Sequence, residues 1–151
     1  IEQTPLHLIS NQPKSRLHSQ LDPGRGSVKT KIRGREPMRM NPQDAQARGL
    51  QDGALVRVFN ARGSCLAGLF LDEAIMPGVV QLATGAWYDP EAPERDGSLD
   101  RHGNPNVLTA DRGTSRLSQG PSAHTCLVQV EAVLGDTPEM KAFDQPAFAS
   151  G

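Results

Sequence analysis

The stretch ALVRVFNARGSCLAGLFL, residues 54–71, contains two apolar segments separated by a short polar turn. Apolar and polar side chains alternate from Ala54 to Asn60, which is typical of a half-buried β-strand. The turn Asn60-Ala61-Arg62-Gly63 has the composition of a hairpin connection, and Ser64 to Leu71 supplies a returning strand. The centre of the sequence therefore predicts a β-hairpin.

Shorter strand patterns lie on both sides of this hairpin, and turn residues bound each of them. The chain has 15 Gly and 12 Pro, and turns of this density favour short strands over long helices. We expect these further strands at Leu6 to Ile9, Pro37 to Met40, Val79 to Ala83 and Thr125 to Val133.

Helical signals are few and short. Asn41 is a good N-cap for a helix with Pro42 at its first position, and Gly49 marks its end. Residues 14–21 have the composition of one or two helical turns, which Pro23 and Gly24 would end, and the basic stretch up to Gly34 reads as irregular. No alternating strand–helix period is present, so the pattern predicts a mainly β protein, a compact β-barrel with short helices.

A chain of 151 residues has the length of one domain. We place the barrel in residues 1–135 and a weakly patterned C-terminal tail in residues 136–151, with a polar surface loop at residues 89–105. No apolar stretch approaches the roughly 20 residues that span a bilayer, so no membrane insertion is expected. The start at Ile1 suggests a piece of a longer protein, and the compartment stays open between cytoplasm and periplasm.

The charge distribution is asymmetric. Residues 1–39 hold eight Lys or Arg and three Asp or Glu, and the remaining residues hold eight and fourteen. This end of the chain either faces an anion or is solvated surface. Nucleic-acid binding is not expected, because the basic region lacks aromatic stacking residues. Neither the two cysteines nor the four histidines have metal-ligand spacing, so we expect buried free thiols and no metal site.

A first candidate binding segment is the polar loop from Ser10 to Gln20, directly after the first strand. Its backbone N–H groups and the bidentate fork of Arg16 suit a phosphate-bearing ligand, although the spacing is not that of a P-loop. Plain solvent exposure of this loop is an equally good interpretation.

A second candidate runs from Asn104 to Gly120 and is rich in Asn, Gln, Ser, Thr and Gly. Amides carry paired donors and acceptors that can read a nucleobase edge, whereas the alternative is a series of capping turns. The adjacent Trp87 and Tyr88 either line a pocket or fill the core. Ser19, His18 and Asp22 lie too close in sequence for a nucleophilic triad, which excludes the hydrolase class.

Together these blocks resemble the C-terminal domain of the molybdopterin oxidoreductases of the dimethyl sulfoxide reductase family. The resemblance covers about residues 6–132. The branch that it most resembles reduces biotin sulfoxide, methionine sulfoxide, trimethylamine N-oxide or dimethyl sulfoxide. The motifs that carry it are LHLIS (6–10) with Pro13, RLHSQL (16–21), MNP (40–42), VRVFN (56–60), PGVV (77–80), GAWYDP (85–90), GNPNVLT (103–109), Asp111, GTS (113–115) and QG (119–120). One departure is Gln12, where relatives often carry His before the proline.

The resemblance implies a double-psi β-barrel related to aspartate decarboxylase, and a molybdenum-dependent S-oxide or N-oxide reductase as the parent enzyme. The implied cofactor is bis(molybdopterin guanine dinucleotide), whose molybdenum would be ligated in another domain, so this chain would be inactive alone. Its partners would be the remaining domains of the same polypeptide and a small S- or N-oxide substrate. The residues expected to face the cofactor are Ser10, Asn11, Gln12, Arg16, His18, Ser19, Asn106, Gln119 and Gly120. The alternative is a free-standing β-barrel that binds a nucleotide or a protein without catalysis.

Overall fold

The computed structural model describes residues 4–146 of the chain. Within that range it contains six strands, two short α-helices and two single 3₁₀ turns. In chain order these elements are β1 (Leu6–Ile9), α1 (Arg25–Val28), β2 (Pro37–Met40), α2 (Pro42–Ala47), β3 (Leu55–Phe59), β4 (Ser64–Leu71), β5 (Val79–Leu82), the 3₁₀ turns Pro105–Val107 and Ala123–Thr125, and β6 (Cys126–Ala132).

The strands close into a barrel in the order β1-β5-β2-β4-β3-β6. Two pairs, β1 with β5 and β2 with β4, run parallel, and the other four are antiparallel. The central hairpin β3–β4 pairs Phe59 with Ser64 across the predicted turn. This architecture confirms the expected mainly β, double-psi type barrel with short helices.

Side-chain alternation explains the core. In β1, Leu6 and Leu8 are buried, while His7 and Ile9 face outward. Strand β4 departs from alternation, since its first six residues are all buried. The reason is that other segments cover its outer face: Cys65 bridges to Asp100, and a Cβ on Gly68 would lie 2.3 Å from the Ile32 Cβ.

Both cysteines are free and buried, as expected. Burial raises the pKa of the Cys65 thiol well above its ordinary value, which keeps the thiol protonated and unreactive.

The expected helical turns at residues 14–21 are wrong, whereas helix α2 and its Asn41 cap are confirmed. Leu17 and Gln20 instead form a tight β-bridged turn, in which Gln20 N donates to Leu17 O at 2.9 Å. His18 has φ +50°, a conformation that no right-handed helix contains. The helix of this region forms later, as α1, after Gly24.

The loop of residues 89–105 is exposed in its middle but not at its ends, which corrects the expectation of a wholly surface loop. Asp100 is fully buried, and its carboxylate accepts N–H groups of Asp89, Gly103 and Asn104 at 2.7–2.8 Å. These hydrogen bonds replace those that water would make with the carboxylate. They hold this segment, which has few apolar residues, against the barrel.

After β6 the chain folds back onto the part of the barrel that contains Asp89 and Trp87. Lys141 N donates to Asp89 Oδ2 at 2.7 Å, Arg35 donates to the Pro138 carbonyl, and the Phe143 ring packs edge-on against Trp87. The described part of the tail is therefore docked, while residues 147–151 lie outside the described residues. The boundary at residue 135 stays a prediction. In the described range, no helix has the length and apolar character needed to cross a membrane.

Candidate functional site

The loop after β1 is fastened to the loop after β5. Because β1 and β5 are parallel neighbours, their carboxyl ends lie at the same rim of the barrel. There Thr84 N donates to the Asn11 carbonyl at 2.9 Å. The first candidate segment therefore begins as part of a rim shared by two strands.

The turn Leu17–Gln20 projects from this rim. Gln12 Nε2 donates to His18 Nδ1 at 3.0 Å, and Trp87 Nε1 donates to the Ser19 carbonyl at 2.8 Å. The side chains of His18 and Ser19 are exposed. The turn is thus fixed from both sides while its own polar groups face outward.

Gly85 allows this arrangement and was not among the expected site residues. Its φ is +94°, and a Cβ built on it would lie 2.0 Å from the His18 carbonyl oxygen. Any side chain here would push the two loops apart. The only signal in the sequence was a glycine two positions before the aromatic pair Trp87-Tyr88.

A cavity of about 560 Å³ lies where these loops meet. His18 and Ser19 line one part of its wall, Asn104 and Asn106 another, and residues 84–88 complete it. The two candidate segments, far apart in the sequence, therefore share one cavity. Its wall combines imidazole, hydroxyl and amide groups with the half-exposed rings of Trp87 and Tyr88.

The capping interpretation of the Asn104 segment is confirmed, and the nucleobase-binding interpretation stays a prediction. Asn104 Oδ1 accepts Asn106 N at 3.0 Å, so Asn104 is the cap of the 3₁₀ turn Pro105–Val107. That cap leaves the Asn106 side chain exposed at the cavity wall.

The structure does not bring the other expected residues to this wall. Gln119 and Gly120 lie in a turn closed by the bridge between Gly113 and Pro121, and Gln119 has φ +50°. Ser10 follows β1 and is partly exposed. Asn11 lines a different groove.

Arg16 is placed differently from the solvent-facing fork that the sequence suggested. Its side chain is 0% exposed, and it lies 3.3 Å from Asp22 and 3.2 Å from Glu36. It also donates to the carbonyls of His18 and Thr84, each at 3.0 Å. The guanidinium therefore links the two loops from inside the domain, because protein groups rather than solvent surround it.

Lys31 completes a buried charge network with the same carboxylates. Its Nζ lies 2.7 Å from Asp22 and 2.5 Å from Glu36. Burial alone would raise the pKa of the Asp22 carboxyl, but hydrogen bonds from Lys31, Trp87 N and Ser27 outweigh burial and hold that pKa below its ordinary value. The Asp22 carboxylate thus remains ionised inside the domain, beside Arg16, Lys31 and Glu36.

His102 lies beside this network and is fully buried. Its Nδ1 is 2.9 Å from the Trp87 carbonyl, its Nε2 has no hydrogen-bond partner, and the Phe143 ring packs edge-on at 5.0 Å. Burial and the charge of Lys31 lower the pKa of His102, so the ring is neutral. It supports the Trp87 loop from behind.

Among residues 4–146, no group of three or more His, Cys, Asp or Glu side chains is arranged to hold a metal ion. A closed barrel with a polar, aromatic-walled cavity at one rim has the geometry of a small-molecule-binding domain.

Comparison with known proteins specifies that class. The family model described as "Molydopterin dinucleotide binding domain" matches residues 6–127. The chain belongs to this family of molybdopterin dinucleotide-binding domains. A solved structure, acetylene hydratase from Pelobacter acetylenicus, superposes with a TM-score of 0.66 at 20% identity, over 85% of this chain and 18% of that chain, and so shows the same fold.

Curated relatives are more similar in sequence. A dimethyl sulfoxide/trimethylamine N-oxide reductase of Cereibacter sphaeroides is 46% identical over 96% of this chain and 18% of its own length. A trimethylamine-N-oxide reductase of Escherichia coli O157:H7 is 48% identical over 94% of this chain and 17% of its own length. A biotin sulfoxide reductase of Cereibacter sphaeroides is 51% identical over 87% of this chain and 17% of its own length. The chain thus spans less than a fifth of the length of these relatives.

Proposed function

We propose that this chain is the cofactor-holding domain of a molybdenum-dependent reductase of S-oxides or N-oxides, and that it binds part of a bis(molybdopterin guanine dinucleotide). The family match and the names of the relatives support this assignment. The remaining domains of the same polypeptide and a small oxide substrate are the partners that it requires.

The observation that carries the proposal is the meeting of the turn at His18 and Ser19 with the turn at Asn106 around one cavity. A volume of about 560 Å³ lies within the range of small-molecule pockets, roughly 300–1,000 Å³. Amide, hydroxyl and imidazole groups match the donors and acceptors on the edges of a pterin or a guanine. Trp87 and Tyr88 supply flat apolar walls for such rings.

Each expected residue then has a role. His18, Ser19 and Asn106 contact the cofactor directly, and Gln12 orients the His18 ring through their 3.0 Å hydrogen bond. Ser10 and Asn11 shape the rim, and Gln119 and Gly120, in the turn closed by Gly113 and Pro121, contact the cofactor outside this cavity. Arg16 positions His18 and Thr84 from inside rather than binding phosphate. Bound molybdenum supplies the oxygen-atom transfer and the electron uptake, while this chain binds and orients the organic part of the cofactor.

The test uses the full-length protein that contains this chain. Ser19→Ala combined with Asn106→Leu removes polar groups from both walls, and we expect molybdenum and pterin content to fall together. Gln43→Ala, an exposed position on α2, is the matched control and should leave both unchanged. Reduction of dimethyl sulfoxide, trimethylamine N-oxide and biotin sulfoxide is assayed in parallel. Full cofactor content in the double variant would refute this site, and absence of molybdenum from the wild-type protein would refute the function.

A further inference from the structure

A second cavity, which the proposed function does not use, lies on the other side of the Ser10–Gln20 loop. This side groove has a volume of about 490 Å³ and runs between residues 11–15 and residues 29–32. Outward-facing side chains of β2, β4 and β5 form its floor, among them Arg39, Phe70 and Gln81. It therefore shares one wall, the loop after β1, with the cavity at His18.

The wall of the groove at Ile32 is held in place by the barrel. Ile32 and Arg35 exchange two backbone hydrogen bonds of 3.0 Å, which fix a tight turn. The Ile32 side chain sits on Gly68, where a Cβ would come within 2.3 Å of it. The groove is thus built into the fold rather than left between loose loops.

Three unmet needs converge in the groove. Lys14 and Lys29 line it, are exposed and form no ion pair within residues 4–146, whereas Lys31 is held by Asp22 and Glu36. Asn11 also lines it, and Asn11 Oδ1 is buried without a hydrogen-bond partner. Phe70 leaves 42% of its surface exposed. The groove thus offers two free cations, one acceptor that lacks a donor, and an apolar face.

A peptide segment satisfies all three needs at once. A carboxylate neutralises the lysines, a backbone N–H supplies the donor for Asn11 Oδ1, and an apolar side chain covers Phe70. An isolated phosphate would meet only the first need, because it has neither an N–H donor nor an apolar group, and a cofactor nucleotide in the groove would be revealed by loss of lysine protection when the cofactor is removed. The charge and hydrogen-bond complementarity therefore favours polypeptide.

The segment belongs to the same protein if the proposed function holds, since this chain spans only 17–18% of the length of its relatives. We infer that the side groove binds an acidic, partly apolar segment from another domain of the same polypeptide. This contact would seat the neighbouring domain against the loop whose opposite side lines the cofactor cavity.

The experiment uses the full-length, cofactor-containing protein. Zero-length cross-linking with a carbodiimide joins lysines only to carboxylates in direct contact, and peptide mass spectrometry identifies the pairs. We expect Lys14 or Lys29 to be linked to an Asp or Glu outside residues 1–151. We also expect both lysines to be acetylated by an N-hydroxysuccinimide ester several-fold more slowly in the native than in the urea-unfolded protein.

Phe70→Ser keeps both lysines but removes the apolar contact, so it should lower the cross-link yield several-fold. Phe59→Ser, on β3 outside the groove, is the matched control and should leave the yield unchanged. Full acetylation of Lys14 and Lys29 in the native protein would overturn the inference. So would protection that disappears when the cofactor is removed, since the occupant would then be a cofactor phosphate. Molybdenum content, measured on the same samples, separates these failures from failure of the proposed function.

Discussion

Gly85 lies so close to the turn of the first candidate segment that a Cβ on it would be 2.0 Å from the His18 carbonyl oxygen. The two loops that form the cavity at His18 therefore pack backbone against backbone. Their spacing depends on a residue without a side chain, and this contact fixes the width of the cavity.

We predict that Gly85→Ala separates the loops and abolishes most cofactor binding in the full-length protein, as measured by molybdenum content. Gly53→Ala is the matched control, because Gly53 also has positive φ, +74°, but no atom lies within 4 Å of its Cβ position. That control carries only backbone strain, about 1–2 kcal/mol. Equal loss of molybdenum in both variants would show that strain, and not the loop contact, is responsible.

We predict that Arg16→Ala destabilises the domain by about 3–5 kcal/mol, because within residues 4–146 it leaves the buried carboxylates of Asp22 and Glu36 with Lys31 as their only lysine or arginine partner. Thermal unfolding measures the loss, and cofactor content should fall with it. Arg57→Ala is the control, since the Arg57–Glu131 pair is about half exposed and contributes about 0–1 kcal/mol. A stable Arg16→Ala protein that has lost its cofactor would instead restore a direct phosphate contact.

Arg16 marks the limit of what could be predicted from the sequence. Strands and their turns were predictable because alternation and turn residues are local signals. The same holds for the α2 cap, where Asn41 precedes Pro42 directly. The burial of Arg16 was not predictable, since most of the surrounding residues in sequence are polar and one of its two carboxylate partners, Glu36, lies twenty positions away.

The sequence predicted the two segments that line the candidate cavity, but not the full set of residues around it. Polar density marked the loop at His18 and Ser19 and the segment at Asn106, and these do share a cavity. The sequence left open whether Trp87 lines a pocket or fills the core, and it did not indicate Gly85, because both depend on β5 running parallel to β1. Likewise, the burial of Asp100 comes from backbone donors that only the folded chain brings together.

We predict that Phe143→Ala loosens the Trp87 loop. Phe143 packs edge-on against Trp87 at 5.7 Å and against His102 at 5.0 Å, and each such contact contributes about 0.5–1.5 kcal/mol. Trp87 is the only tryptophan of the chain, so its fluorescence in the 151-residue chain reports the change directly. We expect a red shift, with Phe143→Leu intermediate. An unchanged spectrum would mean that the docked tail does not hold Trp87.

The stability of the domain should fall as the pH drops below the ordinary histidine value of 6.5, and His102 should be a cause. Burial and Lys31 lower the pKa of His102. Below pH 6.5 this histidine therefore binds a proton in the unfolded chain but not in the folded chain. The contribution is fully present above pH 6.5 and is lost as the pH falls from there through the depressed folded-state pKa. The nearby carboxylates of Asp22 and Asp100 raise the pKa of His102, but burial and Lys31 outweigh them.

The measurement is the unfolding midpoint of the 151-residue chain against pH, compared between the wild type and His102→Gln. We expect the variant to be less stable at pH 7.5 but to lose less of its stability between pH 6.5 and pH 5. The exposed His124 provides the control, and His124→Gln should keep the wild-type slope, because water solvates that side chain in both states. Parallel curves for all three proteins would exclude His102 as the origin of the acid sensitivity.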